Sequence, residues 1–186
     1  MMRRSIFYLA GFMASGKSTI GPIVANALGW NFFDLDKEIE KRENRKINKI
    51  FEEDGEDYFR QTETEILKEI SNGEKLIISL GGGTLIIQGN REFIKKNGKL
   101  LFLRSSPEVA YRRLKHKRDR PILLADNNEE AAENVVIERI ESLMEERMKY
   151  YQKADYFIDT DNESIGTTVD KISRIITKLS KKKHRN

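Results

Sequence analysis

The chain has 186 residues, 38% hydrophobic and 34% charged, a length that suits one α/β domain with its own core and is short for two. It has no cysteine, which excludes disulfides, thiolate metal sites and a cysteine nucleophile, and no apolar run approaches the ~18 residues of a membrane span. The net charge of +4 is concentrated at the end: Lys178, Lys181, Lys182, Lys183 and Arg185 carry five positive charges, so the rest of the chain is near neutral and has no broad basic surface for nucleic acid.

Taken in order, Ile6–Leu9 is a short apolar run stopped by glycine, before it is long enough for a signal-peptide core. Lys17–Leu28 has helical spacing through Ile20, Val24, Ala27 and Leu28, and the aromatic stretch Trp30–Phe33 reads as a strand. Residues 37–72 are strongly charged with apolar positions at Ile39, Ile47, Ile50, Phe59, Ile66 and Ile70, which predicts two or three amphipathic helices. Leu76–Leu80 reads as a buried strand running into Gly81-Gly82-Gly83. Leu100–Leu103 is a further strand, after which Ser106-Pro107-Glu108 starts a helix through Leu114. A long amphipathic helix over Glu129–Tyr151, a last strand at Tyr156–Ile158 and a closing helix over Ile165–Leu179 complete the chain. This alternation predicts a three-layer α/β/α fold around a mostly parallel five-stranded sheet, with ligands at the carboxyl ends of the strands.

Gly11-Phe12-Met13-Ala14-Ser15-Gly16-Lys17-Ser18 fits G-x-x-x-x-G-K-[ST] completely, follows a strand and opens a helix. Glycines let the backbone N–H groups turn inward around phosphate, and the helix aims its positive end at the same place. ATP is therefore expected on Gly11, Ala14, Ser15, Gly16, Lys17, Ser18 and Thr19, with Lys17 on the β- and γ-phosphates and Ser18 on Mg2+. The motif specifies the phosphate donor and leaves the acceptor open.

The acceptor signals are individually weaker. Asp34 and Asp36 follow the second strand at a spacing that aims both the same way; one can serve the magnesium–phosphate cluster and the other the attacking hydroxyl, while Asp36 also suits a helix cap. Arg60 and Arg147 each suit an anionic substrate, because the guanidinium fork matches a carboxylate, although each taken alone better suits a helix-surface ion pair. Three successive glycines after a buried strand, Gly81 to Gly83, bring bare backbone close to something, and that strand carries no clear Walker B aspartate. The basic run from Arg112 to Arg120 suits a lid over 112–126, with Arg120 held extended before Pro121.

Together these residues resemble shikimate kinase from the phosphate loop to the last strand. The resemblance rests on the order of the Gly11–Ser18 loop, Asp34-Leu35-Asp36, Phe59-Arg60, Gly81-Gly82-Gly83, Arg120-Pro121-Ile122-Leu123-Leu124, and Arg147 four residues before Tyr151. It implies the fold of the nucleoside-monophosphate kinases and transfer of the ATP γ-phosphate to the 3-hydroxyl of shikimate with Mg2+, on the route to chorismate and aromatic amino acids. By position it implies that Asp36 holds the acceptor hydroxyls, that Arg60 and Arg147 hold the carboxylate, and that Gly82 and Gly83 add backbone contacts. It further implies that Asp34 supports magnesium and that Arg120 reaches the phosphates. Lys149 departs from the family pattern, which has proline there.

The expected organisation is a single kinase domain over 1–177, with a substrate-binding helical region at 37–72, and a solvated basic tail over 178–186. The expected protein is a cytoplasmic monomer acting on small molecules, with no membrane or specific nucleic-acid partner. Two other readings stay open on the residues alone: a gluconate or nucleotide kinase of similar fold, and a nucleotide-switched binding protein that uses its basic tail.

Overall fold

The computed structural model describes residues 5–115 and 132–182. Five strands, β1 (Ile6–Ala10), β2 (Asn31–Asp34), β3 (Leu76–Ser79), β4 (Lys99–Arg104) and β5 (Tyr156–Asp159), form one all-parallel sheet in the order β2-β3-β1-β4-β5. Seven helices among the described residues cover it: α1 (Lys17–Leu28), α2 (Leu35–Glu43), α3 (Ile47–Ile70), α4 (Gln88–Asn97), α5 (Pro107–Leu114), α6 (Glu133–Tyr151) and α7 (Ile165–Lys182). None of them is long and apolar enough to cross a membrane.

Strand residues alternate between two cores, as the pleat requires. Ile6, Tyr8, Leu76, Ile78, Leu100 and Phe102 face one core with α2, α3 and α4. Phe7, Leu9, Ile77, Leu101 and Leu103 face the other, against α1 and α7. A third cluster joins Phe12 of the glycine loop to Ala110 and Leu114 of α5 and to Val136 and Ile140 of α6. The loop is therefore braced by apolar burial from outside the sheet.

Local chemistry sets most boundaries. Ser106 Oγ accepts from Val109 N at 3.3 Å, and Pro107 occupies the first turn of α5, where its missing N–H has no partner to lose. The second strand begins one residue later than the aromatic run predicts, because Trp30 N closes the end of α1 on Ala25 O at 2.8 Å, while its ring packs 5.7 Å from that of Phe7. Between α2 and α3 the expected helices appear, with α3 broken at Gly55, whose φ of 80° and ψ of 176° interrupt the helical path. The long helix α6 starts at Glu133, with Ala132 extended before it, later than the expected Glu129. The closing helix α7 runs past Leu179 to Lys182, so Lys178, Lys181 and Lys182 of the expected tail are helical, and Leu179 packs against the second core. Arg112 and Arg113, expected within the lid, belong to α5; the remainder of that segment, Arg120 included, lies outside the described residues.

Candidate active site

β1, β2 and β3 all deliver their carboxyl ends to one edge, and each is followed by a turn carrying part of a site. After β1 the loop of residues 11–16 closes against its neighbours. A Cβ on Gly11 would lie 2.7 Å from the carbonyl oxygen of Leu103, so only glycine fits; Gly16 at φ 99° takes a left-handed conformation before α1. Lys17 Nζ donates to the carbonyls of Gly11 and Phe12 at 2.6 and 3.1 Å, which holds the ammonium over the loop. Ser15 is fully buried, and its Oγ has no hydrogen-bond partner among the described residues. A buried unpaired hydroxyl between Gly11 and Gly16, at the start of α1, is the chemistry that a phosphate oxygen completes.

A cleft of about 420 Å3 continues from this loop to Arg113, Thr160, Ile165 and Thr168. Its far wall is fixed by Arg113, whose Nη1 donates to Ala14 O and Thr160 Oγ1, both at 3.2 Å, and whose Nη2 donates to Thr160 O at 2.5 Å. This arginine thus ties the phosphate loop to the turn after β5. The sequence placed it in a mobile run of like charges; its partners are 47 and 99 residues distant, which local pattern does not reveal.

At the end of β2, Ser18 Oγ donates to Asp34 Oδ2 at 2.8 Å, across from Lys17. No cluster of three or more acidic or histidine side chains able to hold a metal occurs among the described residues. A hydroxyl and one carboxylate beside a phosphate cradle suit Mg2+, which keeps waters and takes substrate phosphates as its other ligands. The residues present therefore fit that ion.

The Gly81-Gly82-Gly83 turn forms a second wall, each glycine facing a different side chain. A Cβ at Gly81 would stand 2.6 Å from Asp36 Oδ1, one at Gly82 2.9 Å from Arg147 Nη1, and one at Gly83 2.5 Å from Arg60 Nη2. Asp36, Arg147 and Arg60 come from α2, α6 and α3 and converge on one stretch of bare backbone. All three side chains predicted for the acceptor, together with Gly82 and Gly83, are thus brought together.

Asp36 is partly buried, and its carboxyl group is pushed up to about 6, first by burial and then by the negative charges of Asp34 and Glu63, with Lys17 opposing. Arg60 is shared: Nη1 donates to Glu63 Oε2 at 2.9 Å, while Nε and Nη2 donate to Glu56 Oε1 at 3.1 and 3.0 Å. Glu63 is fully buried and also accepts from Thr84 Oγ1 at 2.6 Å, so it fixes both Arg60 and the turn beyond the glycines. Arg147 lies 5.7 Å over the Phe12 ring, and Tyr151, stacked on Phe102 with ring centres 4.6 Å apart, brings its hydroxyl within 3.5 Å of Gly82 O. Burial raises the Tyr151 phenol and Arg147 opposes, so the hydroxyl stays protonated and able to donate. The sequence did not single out Glu63, and it gave Tyr151 no role at the site. The available signal was the three-residue spacing of Arg60 and Glu63 and the four-residue spacing of Arg147 and Tyr151, each placing its pair on one helix face.

The family model for shikimate kinase matches residues 13–178. A curated shikimate kinase of Chlorobaculum parvum is 46% identical over 95% of this chain and 94% of its own length, and that of Chlorobaculum tepidum is 41% identical over 100% and 97%. Among solved structures, the Bacteroides thetaiotaomicron shikimate kinase superposes with a TM-score of 0.83 at 32% identity, covering 93% of this chain and 98% of its own. The Acinetobacter baumannii enzyme, solved in complex with shikimate, gives 0.81 at 30%, covering 96% and 95%. A Sinorhizobium meliloti gluconokinase, at 0.60 and 15%, shares the fold alone. Likeness of this extent reaches across the phosphate loop, the glycine wall and both arginine-bearing helices, and the chain belongs to the shikimate kinase family.

Proposed function

We propose that this chain transfers the γ-phosphoryl group of ATP to the 3-hydroxyl of shikimate, giving shikimate 3-phosphate and ADP. The observation that carries the reading is the convergence of Asp36, Arg147 and Arg60 on three consecutive glycines beside the phosphate loop. Two cations and one base facing bare backbone match a carboxylated polyol rather than a nucleoside monophosphate; gluconate is also a carboxylated polyol, and the full-length likeness to shikimate kinases favours shikimate over it.

In this reading the shikimate carboxylate lies between Arg60 and Arg147, where paired N–H···O bonds fix its direction as well as its affinity. Gly82 and Gly83 admit the ring close to backbone. That grip turns the 3-hydroxyl toward Asp36, which is ionised at neutral pH and accepts the hydroxyl proton as the oxygen attacks phosphorus. The new O–P bond forms as the bond to the ADP oxygen breaks, and ADP leaves with that electron pair. Lys17 and the loop amides hold the growing charge in a site already organised for it. Mg2+, held through Ser18 and Asp34, neutralises phosphate charge when bound. Arg120 serves the phosphates from the segment after α5, and the protein acts as a cytoplasmic monomer.

ADP release followed with magnesium, ATP and, in turn, shikimate, gluconate and a set of nucleoside monophosphates tests the assignment. Turnover is expected with shikimate and not with the others. ADP release with gluconate or a nucleotide and none with shikimate would overturn it.

A further inference from the structure

Behind the glycine wall, and sharing no side chain with Asp36, Arg60 or Arg147, lies a second cavity of about 500 Å3 between α4 and the end of α6. Small-molecule sites span roughly 300–1,000 Å3. The floor is apolar: Leu85, Ile94 and Leu100 are each buried, and the Tyr150 ring forms a wall.

The rim is cationic. Arg91 is held in place, with Nη1 donating to Leu85 O and Ile86 O, both at 2.7 Å, and its guanidinium 5.0 Å over the Tyr150 ring. Lys95 and Lys153 line the same opening; both are exposed, and neither ammonium has an ion-pair partner among the described residues. The two rim acids are already engaged. Asp155 takes Lys99 Nζ at 2.5 Å and Leu100 N at 2.9 Å, and Glu92 takes Gln88 Nε2 at 2.8 Å. The opening therefore sets three cations, Arg91, Lys95 and Lys153, against one carboxylate, Glu92, whose charge the neutral Gln88 amide leaves in place, so the rim is net positive above a surface that prefers a ring to water.

We propose that this cavity is a binding site for a small aromatic or alicyclic carboxylate, with the ring on Leu85, Ile94 and Leu100 and the acid group on Lys95, Lys153 and Arg91. Charge-assisted hydrogen bonds at the rim select the anion, and the apolar floor selects a ring over an open-chain acid.

Calorimetric titration of the full chain with 3-phenylpropionate tests this. Saturable one-to-one binding is expected, weakened roughly tenfold or more in the K95E/K153E double variant. It should be unchanged in R60A/R147A and much weaker for the neutral 3-phenylpropanol. Because both lysines are exposed, K95E/K153E should keep its circular dichroism, its melting temperature and its turnover with shikimate. No saturation by about 10 mM in the wild type would overturn the proposal. Binding lost in R60A/R147A but kept in K95E/K153E would also overturn it, by placing the probe in the acceptor pocket.

Discussion

In the proposed mechanism Asp36 sits under two opposed demands: the acceptor chemistry wants a base, and a site shared with Asp34 and Glu63 resists a third negative charge. With its carboxyl group raised to about 6, kcat/KM should fall as pH drops through that value, because the protonated form accepts no proton. Asp36→Asn should lower kcat by about 10² to 10⁴-fold and erase that acid limb, with ATP binding intact. The same substitution should stabilise the fold. The folded carboxyl titrates above its unfolded value of 3.8, so the native state binds the proton more tightly, and stability is lost as pH rises from about 4 to about 6. Asn removes that loss, and melting at pH 7 should show a gain of roughly 1–3 kcal/mol that fades toward pH 4. An unchanged rate would reduce Asp36 to a structural role. Gly83 allows a second test, since its φ of −104° suits any residue and only the space beside Arg60 forbids a side chain. Gly83→Ala should push the guanidinium aside and raise the shikimate KM about tenfold or more, leaving the KM for ATP alone; an unchanged shikimate KM would detach Arg60 from the acceptor. How legible such residues are depends on where their partners lie. The phosphate loop is one contiguous string whose chemistry is local, and it can be read directly. Arg60 meets Gly83 only through the fold, and Glu63 stands in a run, Gln61 to Glu65, that looks solvated until helix α3 turns one of its carboxylates into the core.

Among the elements, the strands were the most legible, because alternate residues feed two separate cores and leave continuous apolar runs. Boundaries were less so. Lysine is a good helix former, and Lys178 to Lys182 extend α7 although their charge reads as a solvated tail. The kink in α3 was legible only as a glycine among acids. Gly55 has φ 80° and ψ 176°, a region that is essentially glycine's alone, while the space where a Cβ would point is open. Gly55→Ala therefore meets no clash and is penalised through the backbone itself, by roughly 1–3 kcal/mol. The kink also sets where Glu56 and Arg60 begin their turn of helix, so the shikimate KM should rise in the same variant. A melting temperature equal to wild type would show that α3 straightens at no cost, and the kink would then have no part in aiming Arg60.

At the scale of the whole molecule the strand order was beyond the sequence, since pairing β1 between β3 and β4 depends on partners 70 and 92 residues apart in chain position. That order is what makes the phosphate loop central and puts the two arginine-bearing helices on either side of the glycine wall. It also separates the ends of α7 by function. Ile165 and Thr168 at its start line the cleft beside the phosphate loop, whereas Leu179 packs on the second core with Ile172 and Ile176, about 17 Å beyond Thr168 at 1.5 Å per residue. A chain ending at residue 177 loses the Leu179 contact but none of the cleft. It should melt about 2–4 °C lower, as expected for ~1 kcal/mol of lost apolar burial in a domain of this size. Its KM values for ATP and shikimate at room temperature should match those of the full chain. A raised KM for ATP would instead show that the basic end of the molecule reaches the nucleotide, and the division of labour along α7 would have to be redrawn.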